Sequence, residues 1–211
     1  MAIHLLEKTP DYQLGIWKIE EDEKQLQLLS GTIQRPGHVN QVRRLEHLAV
    51  RAIATAMDIQ SMDIAYLPSG KPYLLNNEQS ISISHTKNYV AVLLSHHQWI
   101  GVDLEHRSER IHKIRHKFMH PEEELSMRQF SNPKDETVAL LLHWCAKEAL
   151  FKAVPEEGVD FTQELRICEF TTIAQSGRFK GCFLRTGKEF EIDYYIGLDF
   201  VLTCSFSAES R

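Results

Sequence analysis

Between Val42 and Ala56 the apolar residues Val42, Leu45, Ala49, Ala52, Ile53 and Ala56 recur at steps of three and four. That period places them on one stripe and predicts a helix, with Arg43, Arg44 and Arg51 around its edges. Pro36-Gly37 breaks the chain before it, and Leu14 to Ile19 reads as an earlier strand. The period then changes. Pro68-Ser69-Gly70-Lys71-Pro72 reads as a turn, and Ile81-Ser82-Ile83-Ser84 alternates as a half-buried strand does, ending at His85. Tyr89 to Ser95 and Trp99 to Glu105 are further strands, joined by His96-His97-Gln98, and the three together predict an antiparallel meander.

The second half repeats this order. Asn132 is placed to cap a helix, with Pro133 at its first position and Asp135 and Glu136 in its first turn, running to about Ala153. Strands follow at Leu165 to Phe170, Phe179 to Leu184, Glu191 to Ile196 and Phe200 to Phe206. Tyr89-Val90 and Phe200-Val201 open similar apolar strands at corresponding places. The expectation is an α+β fold of two similar, pseudo-twofold-related lobes, each a long helix packed on a small antiparallel sheet. The N-terminal lobe spans 1–102 and the C-terminal lobe 103–211, with a site in the cleft between them.

The composition narrows the function classes. With 43% hydrophobic and 25% charged residues, the 211-residue chain is ordinary globular material. A net charge of −5 supplies no general field for a polyanion, which argues against nucleic-acid binding. The first residues hold no basic segment followed by a long apolar run, so a cytoplasmic protein without a membrane anchor is expected. Cys145, Cys168, Cys182 and Cys204 lack Cys-x-x-Cys spacing and read as reduced core thiols.

Candidate chemistry lies in three places. In Ile100-Gly101-Val102-Asp103-Leu104-Glu105, residues two apart share a strand face, so Asp103 and Glu105 stand side by side. At roughly 6 Å and an effective dielectric near 20 they repel by about 3 kcal/mol, a cost that a hard divalent cation converts into binding. On the long helix, Trp144, Glu148 and Lys152 are spaced by four and share a face, with Lys147 beside Glu148. The Gly70-Lys71-Pro72 turn and Ser84-His85 supply an ammonium, a hydroxyl and an imidazole suited to a phosphate. Each of these has a bland alternative: solvated carboxylates, an intrahelical ion pair, and an exposed turn lysine with a hydrogen-bonded histidine.

Taken in order, they resemble the 4′-phosphopantetheinyl transferase superfamily, in its surfactin-type branch of pseudo-dimeric monomers. The resemblance rests on Gly-Val-Asp-Leu-Glu at Gly101 to Glu105, Phe-x-x-x-Glu at Phe118 to Glu122, and Trp-x-x-Lys-Glu-Ala-x-x-Lys at Trp144 to Lys152. The Gly-Lys-Pro turn and the Ser-His strand end fit too, as does Arg43-Arg44-x-Glu-His-Leu-Ala-x-Arg. It implies that Asp103, Glu105 and Glu148 hold Mg²⁺ against the pyrophosphate of coenzyme A, while Lys147 and Lys152 contact its phosphates. Lys71, Ser84 and His85, helped by Arg44, would grip the 3′-phosphate. A serine of an apo acyl or peptidyl carrier protein would attack the β-phosphorus, releasing adenosine 3′,5′-bisphosphate. Glu148 or Glu122 would take its proton, and the enzyme would act as a monomer.

Five basic residues between Arg107 and Lys117 stand against one acid, Glu109, and could steer an acidic carrier. His112, His116 and His120 are spaced by four, but Pro121 and the lack of a fourth ligand favour solvated or capping roles over zinc. The same three carboxylates would also serve a metal-dependent hydrolase of coenzyme A or a nucleotide. A homologue that only binds coenzyme A or a carrier is the non-enzymatic alternative.

Overall fold

In the computed structural model, which describes residues 3–31, 40–59, 63–75, 77–168, 170 and 173–208, the Asn40 side chain accepts from the Arg43 backbone N–H and starts helix α2, Gln41–Ala56. Pro36-Gly37 lies outside the described residues. Helix α2 buries Leu48, Ala49, Ala52 and Ile53 against Trp17, Val90 and Val92. The sequence stripe was rotated at its start, for Val42 is 63% exposed while Leu48 is fully buried. A shorter helix α1, Glu23–Ser30, packs on α2 and opens with a capping box between Asp22 and Gln25. The acidic run that precedes it thus serves as a helix start.

Chain contacts divide the protein into two compact units, 1–98 and 99–211, each with its own apolar cluster. The first unit holds β1 (Ile3–Lys8), β2 (Tyr12–Lys18), β5 (Ser80–Thr86) and β6 (Tyr89–Ser95) in an antiparallel sheet of order β1-β2-β6-β5. The hairpin β3 (Ile64–Tyr66) and β4 (Pro72–Leu74) stands apart from that sheet. Its turn needs Gly70, whose φ of +87° is open chiefly to glycine.

The expected meander of three consecutive strands does not form. The neighbours of β6 are β5 and β2, whereas β7 (Ile100–His106) pairs with β11 (Phe200–Ser207). Gly101 fits β7 to its place in the second unit. A Cβ there would stand 1.8 Å from the backbone oxygen of Ala149 on helix α5 (Pro133–Ala153), so bare backbone is what lets β7 run beneath that helix.

The second unit completes a five-stranded antiparallel sheet, β7-β11-β10-β9-β8, with β8 at Leu165–Ile167, β9 at Ser176–Phe183 and β10 at Lys188–Ile196. Helix α5 starts where expected, with Asn132 as its side-chain cap and Pro133 in its first turn. It has no polar face to speak of, because the sheet covers one side. On the other side lie Ile111, Phe118, Met119 and Met127, from the segment carrying α3 (Ile111–Ile114) and α4 (Pro121–Ser126). The two units share one connectivity: a strand, a long helix, then a hairpin whose second strand pairs with the first strand. That is β2, α2, β5, β6 in the first and β7, α5, β10, β11 in the second.

Candidate active site

Strand β7 carries Asp103 and Glu105 on one face, with Val102 and Leu104 buried on the other, as the alternation predicts. Close packing of α5 over Gly101 brings the last turns of the helix to the same place. Lys152 Nζ donates to Asp103 Oδ1 at 2.6 Å and to the carbonyl of Val102 at 3.0 Å. Trp144 Nε1 donates to Glu105 Oε1 at 2.7 Å. Glu148 lies one turn from each of these helix residues and interacts with Asp103, Glu105 and Lys152 through their charges.

The electrostatics of this group are those of crowded, partly dehydrated carboxylates. Burial first, then the charge of Asp103, pushes Glu105 up to about 7 against the hydrogen bond from Trp144 and the charge of Lys152. Burial and then Asp103 likewise push Glu148 up to about 7, with Glu105 adding to the rise and Lys152 opposing it. Three carboxylates facing one ammonium leave two negative charges uncompensated when all are ionised. Among the described residues no three acidic, histidine or cysteine side chains are gathered at metal-binding spacing, and the cation that Asp103 meets is Lys152.

Other expected site residues are placed differently. Lys147 does not face phosphate. It is 0% exposed, and its three donors go to Glu123 Oε2 at 2.6 Å, the Phe118 carbonyl at 2.5 Å and the Phe161 carbonyl at 2.9 Å. Glu122 stands outside the carboxylate group, 77% exposed and held by Arg166 at 3.0 Å. The buried acid of that stretch is its neighbour Glu123, which also accepts from the backbone N–H groups of His120 and Ile167, at 2.9 Å each. Helix phase decides between adjacent acids, and the capping box at His120 sets that phase. Glu123 was missed because three consecutive glutamates look alike in sequence.

In the first unit, Arg43, Glu46, His47 and Val50 of α2, with Ile83 and His85 of β5, line a pocket of ≈ 470 Å³. Gly70 and Pro72, on either side of the exposed Lys71, line it too. Arg43 Nη1 lies 2.7 Å from His85 Nε2 and 3.1 Å from Glu46 Oε2. Arg44, the arginine expected here, instead turns toward Glu23 of α1, 3.8 Å away. Ser84 and His85, being consecutive on a strand, project to opposite faces. Ser84 is buried and does not line the pocket.

The positive segment is partly neutralised, since Arg115 is bound to Glu124 and Glu136, while Arg110, Lys113 and Lys117 are exposed. The histidines of this segment have separate surroundings. His112 meets Thr137 at 2.9 Å, and His120 is the N-cap of α4, the capping role considered from sequence. Of the cysteines, Cys145 and Cys204 are buried, but Cys168 is exposed and Cys182 half-buried, against the expectation of four core thiols.

Residues 100–204 match the family described as the 4′-phosphopantetheinyl transferase superfamily. A Haemophilus influenzae protein named "Putative 4'-phosphopantetheinyl transferase" is 29% identical over 157 residues, 70% of this chain and 62% of that protein. A Synechocystis protein of similar name is 32% identical over 99 residues, 44% of this chain and 40% of that relative. The chain thus spans less than two thirds of the length of these curated relatives. The matched stretch contains strand β7, helix α5 and all four side chains that meet between them, and it is through this part that the chain belongs to the 4′-phosphopantetheinyl transferase superfamily.

Proposed function

We propose that the protein transfers the 4′-phosphopantetheine arm of coenzyme A to a serine of an apo acyl or peptidyl carrier protein, and that it does so with Mg²⁺. The observation that carries this reading is Asp103 bound to Lys152, with Glu105 and Glu148 near enough to interact with both through their charges. An all-oxygen donor set with two uncompensated negative charges fits a hard divalent cation. Asp103, Glu105 and Glu148 would hold that cation, which would neutralise charge on the diphosphate of coenzyme A.

The remaining chemistry belongs to the chain's own groups. Lys152, already held at the strand by Asp103 and Val102, is placed to bind a phosphate oxygen. Glu148, on the helix face that also carries Lys152, would double as the base through a carboxylate oxygen. It would accept the proton of the serine hydroxyl as the new O–P bond forms at the β-phosphorus and the bond to adenosine 3′,5′-bisphosphate breaks. Positioning and charge neutralisation are the main demands of such a transfer. The exposed, solvated position of Glu122 favours Glu148 as that base. In the first unit, the guanidinium of Arg43 beside His85 suits the 3′-phosphate, and Lys71, between the lining residues Gly70 and Pro72, would assist. The exposed Arg110, Lys113 and Lys117 would steer an acidic carrier. No helix among the described residues is long and apolar enough to cross a membrane; the enzyme would act as a monomer in the cytoplasm.

The test is to incubate the protein with Mg²⁺, coenzyme A and a panel of apo-carriers and weigh each carrier intact. A gain of one phosphopantetheine on a carrier supports transfer. Release of adenosine 3′,5′-bisphosphate without any carrier mass gain would indicate hydrolysis instead, and no turnover beside a working control enzyme would leave only binding.

A further inference from the structure

The ammonium of Lys147 is buried beneath the site and bonded to the backbone carbonyls of Phe118 and Phe161. The rings of these same two residues pack on Trp144, with centroids 5.2 Å and 5.6 Å from its own. Trp144 in turn donates its indole N–H to Glu105 Oε1 at 2.7 Å. Glu123 completes the chain of contacts: one of its oxygens takes the Lys147 ammonium and the His120 N–H, the other the Ile167 N–H. It thereby joins α4, α5 and β8.

We infer that Glu123 and Lys147 are positioning residues for Glu105, acting through the two phenylalanines that pack on Trp144. The inference rests on the reading of Glu105 as a carboxylate of the cation site. A carboxylate on a strand has two side-chain torsions free before the acid group, and one hydrogen bond from a mobile indole would not hold it. An indole packed against two rings, with both backbones pinned by one ammonium, presents its N–H in a fixed direction. Groups that orient a ligand from behind in this way typically change metal affinity by about 10- to 100-fold when removed. Lys147 is fit for the task because its ammonium has three donors and three acceptors in place, whereas a planar guanidinium would not match them.

The measurement is Mn²⁺ binding by calorimetry together with the indole N–H resonances of the metal-free protein, with Trp144→Phe identifying the signal of Trp144. Lys147→Met should weaken Mn²⁺ by about tenfold, shift the Trp144 N–H in the direction seen with Glu105→Ala, and add nothing to the Mn²⁺ loss of Glu105→Ala when the two are combined. If Lys147→Met alone does not fold because it strands the Glu123 charge, Lys147→Met with Glu123→Gln removes that charge, keeps one amide oxygen to accept from either the His120 or the Ile167 N–H, and tests the same pin. A folded variant with unchanged Mn²⁺ affinity and an unmoved Trp144 signal would overturn the inference, as would losses that simply add in the Glu105→Ala background. Should the wild-type protein bind no Mn²⁺, the cation-site reading fails, and the Trp144 resonance in the metal-free variants still decides whether the pin reaches the indole.

Discussion

Single side chains at the site carry opposite tasks according to how dry they are. Lys152 and Lys147 stand five residues apart on one helix, yet the first is partly exposed beside Asp103 and the second is sealed with Glu123. Burial lowers the pKa of Lys147 while Glu123 opposes the fall, which is the signature of a structural ion pair. Glu105 and Glu148 have folded-state values near 7, above the ordinary 4.5. Between those values the native state binds more protons than the unfolded chain, so metal-free stability should fall as pH rises from about 4.5 through about 7. Thermal melts across that range should show the decline, and added Mg²⁺ should reverse it at pH 7 and above but not near pH 4.5. Glu148→Gln should lower kcat by about 10²- to 10⁴-fold in a carrier-mass assay. Arg43→Ala should raise the KM for coenzyme A by about tenfold, roughly the value of one charge-assisted hydrogen bond. Arg44→Ala, directed toward Glu23, should leave that KM within a factor of two or so.

At the scale of elements, the contact between β7 and α5 sets the spacing of the carboxylates. At Gly101 that contact has no room, because a Cβ would stand 1.8 Å from the backbone oxygen of Ala149. Gly101→Ala forces the helix off the strand, and overpacking of this kind costs about 1–3 kcal/mol. The melting temperature should drop by several degrees. Transfer should fall by more than that loss of stability explains, since Glu148 and Lys152 would withdraw from Asp103. Equal activity per folded molecule would show that the helix contact does not set the site. The cap at Asn132 offers a control at the far end of α5: Asn132→Ala should cost about 1 kcal/mol and leave kcat unchanged.

For the whole molecule, each unit closes its own core around one long helix, and both follow the same strand, helix and hairpin order. The charges exposed on the second unit matter at this scale, because association with a carrier is a property of the surface field. Double reversal, Arg110→Glu with Lys113→Glu, should raise the KM for an acidic carrier several-fold, more so at low salt, with the KM for coenzyme A unmoved. Arg115→Glu should instead destabilise the fold, because Arg115 is committed to Glu124 and Glu136.

What the sequence determined by itself was local. Helix α5 starts at Asn132 and Pro133 because a cap and an N-terminal proline act within a few residues, and the Asp103–Glu105 face follows from the two-residue period of a strand. Tertiary structure decided whatever depends on neighbours distant in the chain. It took β7 away from β6 and gave it to β11, and it gave Gly101 a purpose that shows only when α5 lies against it. It turned Arg43 toward His85 and Arg44 toward Glu23, and buried Glu123 rather than Glu122, since adjacent residues on a helix differ by about 100° in direction and only packing reveals what each one faces. It also turned Lys147 inward, because a lysine in a motif looks the same in sequence whether its ammonium ends in water or on three buried oxygens.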